Sequence, residues 1–130
     1  MTLNELSREV IDAAFEVRRN LGAGLLESAY ELALFHELRI RGIRAERQVS
    51  IQVQYKGELI GEGYRIDILV DGRLVVECKA TERNNPIYAA QCLTYLRSAN
   101  LNLGLVINFG CFKLRDGIVR VVNGFSEGDV

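Results

Sequence analysis

The sequence predicts an α/β domain, a mixed β-sheet flanked by α-helices, and three patterns carry that prediction. Two N-terminal segments repeat apolar residues at helical spacing. A central block alternates or runs apolar between turn residues. One further helical segment then lies between two apolar strands. Helices followed by a meander, another helix and more strands give an α/β sandwich. At 130 residues, 48% hydrophobic and 25% charged, the chain is expected to form one domain over residues 1–130 with a core of its own. It contains no repeat, low-complexity stretch or linker.

The first helix is predicted over Leu3 to Leu21, where Leu6, Val10, Ala13, Ala14, Val17 and Leu21 recur at helical spacing and Gly22-Ala23-Gly24 ends the run. The second is predicted from about Leu25 to Arg41, with Ala29, Ala33, Leu34 and Leu38 as its buried stripe and Gly42 as its stop. Glu27 and Tyr30, three apart, share one side of it. Ala45 to Tyr55 then alternates, with Val49, Ile51, Val53 and Tyr55 on one face, and Lys56-Gly57-Glu58 turns the chain into Leu59 to Tyr64. After the central hairpin, Asn84-Asn85-Pro86 reads as a cap with Pro at the first helical position. It opens a third helix over Ile87 to Ala99, on which Gln91 and Tyr95 sit four apart. Leu103 to Asn108 is an apolar strand, expected to lie parallel to the strand before that helix through a right-handed crossover. Phe112 to Leu114 and Ile118 to Val122 are expected to close the sheet as a hairpin about Asp116-Gly117.

The central hairpin carries the chemistry. Ile66-Asp67-Ile68-Leu69-Val70 and Leu74-Val75-Val76-Glu77-Cys78-Lys79 are β-rich runs joined by Asp71-Gly72-Arg73. Glu77 and Lys79, two apart on a strand, share a face. A two-residue loop would set Asp67 opposite Val76 and put the two carboxylates on opposite faces. A three-residue loop sets Asp67 opposite Glu77 and leaves Gly72 free for a positive φ. Only an odd loop, or a bulge, brings two carboxylates and an ammonium to one cation. A Glu-x-Lys triplet alone is also what a solvated strand face carries. Here Val75, Val76, Ile66, Ile68 and Leu69 make both strands apolar on both sides, and charges in such strands are paired or bind metal.

Composition narrows the rest. No apolar run approaches the ~20 residues of a membrane span, and Met1-Thr2-Leu3-Asn4-Glu5 lacks the basic and apolar regions of a signal peptide, so a cytoplasmic protein with no membrane partner is expected. Cys78, Cys92 and Cys111 are odd in number and widely spaced, as reduced thiols are, and the single His36 argues against zinc. A net charge of -1 argues against a nonspecific DNA-coating protein. Arg18, Arg19, Arg39, Arg41, Arg44 and Arg47 gather near helix ends, where cations are favoured in any case.

Gly24-Leu25-Leu26-Glu27-Ser28-Ala29-Tyr30 resembles the signature of the bacterial GxxExxY family. The resemblance continues through Glu46-Arg47-Gln48-Val49, Gly63-Tyr64-Arg65-Ile66-Asp67, Glu77-Cys78-Lys79, Gln91 with Tyr95, and Ile107-Asn108-Phe109-Gly110. That family is placed within the PD-(D/E)XK nucleases, which implies a restriction-endonuclease-like core and hydrolysis of phosphodiester bonds in nucleic acid, with DNA ranked ahead of RNA and both left open. It further implies Mg2+ or Mn2+ held by Asp67, Glu77 and the backbone carbonyl of Cys78, with Glu27 as a further or water-mediated ligand. Lys79 would orient or deprotonate the attacking water, and Gln91 and Tyr95 would hold the site or the phosphate backbone. Cys78 stands where Leu, Ile or Val is usual. Tyr30 serves equally well as a packing residue and Gly24 as a turn residue. A binding module that keeps the fold without catalysis stays open as the alternative, as does a homodimer, whose two-fold pair would double the surface offered to a duplex.

Overall fold

The computed structural model describes residues 1–124, so the last six residues of the expected 1–130 domain lie outside the described residues. Helix α1 spans Leu3–Leu21 and begins in a capping box: the Thr2 hydroxyl accepts from the Glu5 N–H at 3.1 Å and the Glu5 carboxylate accepts from the Thr2 N–H at 3.2 Å. It stops at Gly22, whose φ of 72° suits glycine. Helix α2 spans Glu27–Ile40, beginning later than the spacing predicts. Its buried stripe is Tyr30, Leu34 and Leu38 with the carboxylate residue Glu31, while Ala29 and Ala33 are only half-buried. Strands β1 (Ala45–Tyr55), β2 (Glu58–Val70) and β3 (Leu74–Lys79) follow, then α3 (Pro86–Ala99), β4 (Leu103–Asn108) and β5 (Ile118–Val122). Asn85 caps α3 by accepting from the Ile87 N–H, with Pro86 at the first helical position. Among the described residues no helix is long and apolar enough to cross a membrane.

The five strands run β1-β2-β3-β4-β5 across one mixed sheet. β3 and β4 are parallel, in register from Leu74↔Leu103 to Lys79↔Asn108 with α3 as their connection, and the other neighbours are antiparallel. Helices α1 and α2 cover one face, where Leu6, Val10, Tyr30, Leu34 and Leu38 meet Ile68, Val70, Leu74, Val76 and Cys78. Helix α3 covers the other, packing Cys92 and Leu96 on Ile66, Val75 and Val106. This is the mixed sheet between helices that the sequence predicts, in a restriction-endonuclease-like arrangement.

The expected closing hairpin is absent. Phe112 is 91% exposed outside any strand, Leu114–Gly117 forms a 3₁₀ turn, and β5 pairs with β4 instead, Ile107 opposite Ile118. The physical reason is Arg18, whose guanidinium donates to the carbonyls of Phe109, Cys111 and Phe112 at 3.0, 2.8 and 3.0 Å. Acceptors that a hairpin ladder would need are taken by a side chain from α1.

One irregularity governs the site. Ile68 and Val70 pack toward α1 and α2, and Leu69 toward α3, as alternation requires. Ile66 and Tyr64 then also pack toward α3, so the pleat of β2 inverts at Asp67. β1 inverts at the same level: Ala45 packs with α1 and α2, Val49 and Ile51 with α3. Gln48 lies between Arg47↔Ile68 and Val49↔Ile66, across from Asp67 but outside the ladder, with φ at 54°. A left-handed non-glycine costs on the order of 1–2 kcal/mol, and the surrounding ladder holds it there.

Candidate active site

The β2–β3 connection supplies the odd register. Asp71 and Gly72 are both left-handed, at φ 53° and 67°, and the Arg73 N–H closes the turn on the Val70 carbonyl at 3.0 Å. Arg73 is the extra residue, so Leu74 rather than Arg73 pairs with Val70, and the ladder continues through Leu69↔Val75 to Ile68↔Val76. The next residues across are Asp67 and Glu77. There the ladder gives way to side chains: the Asp67 N–H donates to Glu77 Oε2 at 2.9 Å and the Cys78 N–H donates to Asp67 Oδ2 at 2.9 Å. The Glu77 carboxylate thus reaches across the parting strands to the backbone of Asp67, and the Asp67 carboxylate to the backbone of Cys78.

Both carboxylates are destabilised as anions. Burial, then the neighbouring Asp67 charge, raises Glu77 to about 8. Burial also raises Asp67, to about 6, with the Cys78 N–H opposing and the charges of Glu31 and Glu27 adding. Among the described residues neither is ion-paired. Lys79 instead turns to α3: its Nζ donates to Gln91 Oε1 at 3.4 Å and lies 5.0 Å over the ring of Tyr88. Tyr95, also on α3, sets its ring 5.5 Å from Tyr64, and burial followed by the charges of Glu77 and Asp67 raises its phenol.

On the other side, Glu27 is the first residue of α2 and lines a cavity of about 550 Å³ with Ser28, Glu31, Arg47, Gln48 and Asp67. The local sequence explains that placement. Gly24 takes φ 92° in the α1–α2 turn, and the Tyr30 hydroxyl donates to the Gly22 carbonyl at 2.6 Å while accepting from the Leu25 N–H at 3.2 Å. Its ring stacks on Phe109 with centroids 4.7 Å apart. Glycine and tyrosine therefore form the turn, and the glutamate between them faces the cavity.

The structure brings Glu27 to Asp67 on the α2 side and Gln91 to Lys79 on the α3 side, and the Asp67–Glu77 pair joins the two halves. The cavity that Glu27 lines does not include Gln91. Sequence reasoning missed Glu31, which is 4% exposed and accepts from Arg47 at 2.7 and 3.0 Å and from the Gln48 amide at 2.9 and 3.0 Å. Its position one helical turn after Glu27 was the available signal. Also missed was Asn108, fully buried, whose amide accepts from the Thr81 and Gly110 N–H groups and donates to the Thr81 hydroxyl and Asn84 Oδ1, each at 3.0 Å. That network fixes the loop between Lys79 and α3.

Among the described residues no three His, Cys, Asp or Glu side chains gather about one point. Two neighbouring carboxylates, Glu77 buried and Asp67 half-buried, still suit Mg2+, which takes one or two carboxylates and retains waters. A soft metal is not served, since the Cys78 thiol is wholly buried in the core under α1 and α2. The profile of the PD-(D/E)XK nuclease superfamily matches residues 4–121, and the chain belongs to that superfamily. Neither a curated protein nor a solved structure matches it.

Proposed function

We propose that this protein is a metal-dependent nuclease of the GxxExxY branch, hydrolysing phosphodiester bonds of nucleic acid, with DNA the leading substrate class. The observation that carries the reading is the Asp67–Glu77 pair: a buried and a half-buried carboxyl group, both raised in pKa although the Lys79 charge opposes the rise, and neither within ion-pairing distance of a cation among the described residues. Burying such a pair is costly unless a positive charge joins it. Asp67, Glu77 and the Cys78 carbonyl would hold Mg2+ or Mn2+, and Glu27 would reach it through water. A divalent cation so held lowers the pKa of bound water and polarises a phosphoryl oxygen. Lys79 would orient the attacking water and stabilise charge growing on the phosphoryl group, with Gln91 holding its ammonium. Tyr95 supports β2 through Tyr64.

The competing reading is a binding module without catalysis. It draws on the absence of a third clustered ligand side chain among the described residues and on Lys79 contacting Gln91 and Tyr88. Lys79→Ala separates the two. Cleavage assayed on single- and double-stranded DNA and RNA with Mg2+ or Mn2+ should fall about 10²–10³-fold in the variant. Metal affinity should hold or rise. No cleavage by the wild type, or equal cleavage by the variant, would favour the binding module.

A further inference from the structure

We propose that Arg65 binds the nucleic-acid backbone, holding the phosphate adjacent to the one at the Asp67–Glu77 site; this rests on the nuclease reading above. The pleat inversion carries the argument. Because Tyr64 and Ile66 pack against α3, Arg65 between them belongs to the opposite face of β2, the face on which Asp67 meets the cavity beside Glu27. Ser50 pairs with Arg65 across the ribbon, and Gln48 lies across from Asp67. The four residues therefore form one polar patch, which α2 covers at the Gln48–Asp67 end through the bonds to Glu31. The Ser50–Arg65 end is exposed and opens on a hollow of about 210 Å³.

Arg65 is two residues from Asp67, roughly 7 Å at the rise of a strand and about one nucleotide step along an extended backbone. Its guanidinium has no ion-pair partner among the described residues, whereas Arg41, Arg47 and Arg73 are committed to Glu37, Glu31 and Asp71. Glu62 is the carboxylate that lines the same hollow, and it is not within ion-pairing distance. A planar fork left unpaired beside two metal-binding carboxylates suits a phosphate, which it can take bidentately. The contact is with the backbone, so it carries affinity and register without base sequence.

The test is fluorescence anisotropy with a labelled single-stranded oligonucleotide in chelator, over a salt series. Arg65→Ala should weaken binding about fivefold at 0.1 M salt, because each phosphate contact on a single strand contributes a slope of about −0.7 in log K against log salt. Arg65→Lys should restore the slope. Arg97→Ala removes the same charge from the last turn of α3, at the far end of the sheet, and should leave the slope unchanged. Unchanged affinity in Arg65→Ala, an equal loss in Arg97→Ala, or no binding by the wild type would each overturn the assignment. Mn2+ titration of the same proteins judges the metal site separately: Arg65→Ala should bind Mn2+ as the wild type does, and a wild type that binds none refutes the nuclease reading itself.

Discussion

The two ends of the β2–β3 hairpin share strands and register, yet they are built by different rules. At the closed end, Ile68, Leu69 and Val70 face Val76, Val75 and Leu74 in an unbroken ladder, and their side chains pack between the helices. At the open end, Asp67 and Glu77 stand in the same register, but their carboxylates take the backbone donors and the strands part. The closed end gains stability from apolar burial. The open end holds two carboxyl groups whose charged forms burial disfavours, so that a proton or a cation relieves them. Stability and site are thus adjacent on one hairpin and separable by mutation.

The largest effect should come from the closed end. Leu74 is fully buried, and Leu74→Ala should lower unfolding free energy by about 2–5 kcal/mol in urea denaturation. Mn2+ affinity, measured where the variant stays folded, should not change. A lost affinity would mean the two ends are not independent.

Glu77→Gln should do the reverse, stabilising the metal-free protein. The folded pKa of Glu77 is raised above its ordinary value of 4.5 to about 8, so its ionisation favours the unfolded chain. The metal-free wild type is accordingly most stable, as far as this group is concerned, below about 4.5 and loses stability as pH rises toward 8. The loss should be on the order of 2–4 kcal/mol. Thermal melts in chelator from pH 5 to 8 should show this decline in the wild type and a flatter profile in Glu77→Gln. A wild type that grows more stable over that window would contradict the burial of an unpaired carboxylate.

The closed end was readable in the sequence, and much of the open end was not. Asp71-Gly72-Arg73 is an odd loop, so the register that sets Asp67 across from Glu77 follows from counting, and the caps at Thr2 and Asn85 follow from local chemistry. The pleat inversion does not follow, because nothing in the residue type of Gln48 calls for its left-handed φ. Glu31 resembled any helix-surface glutamate until Arg47 and Gln48 from β1 folded onto it. The misplaced closing hairpin failed for the same reason: Arg18 acts on carbonyls more than 90 residues away in sequence. Local rules reached the elements and the register. Contacts between distant segments decided where the polar side chains went.

Isothermal titration of Mn2+ into the wild type, Asp67→Ala and Glu77→Ala at pH 6 and pH 8 tests the central claim most directly. The wild type should bind one ion, more tightly at pH 8, because binding must displace protons from carboxylates raised to about 6 and about 8. Each alanine variant should lose that affinity at both pH values. Equal Mn2+ affinity in wild type and Glu77→Ala would show that the parted end of the hairpin is not a metal site.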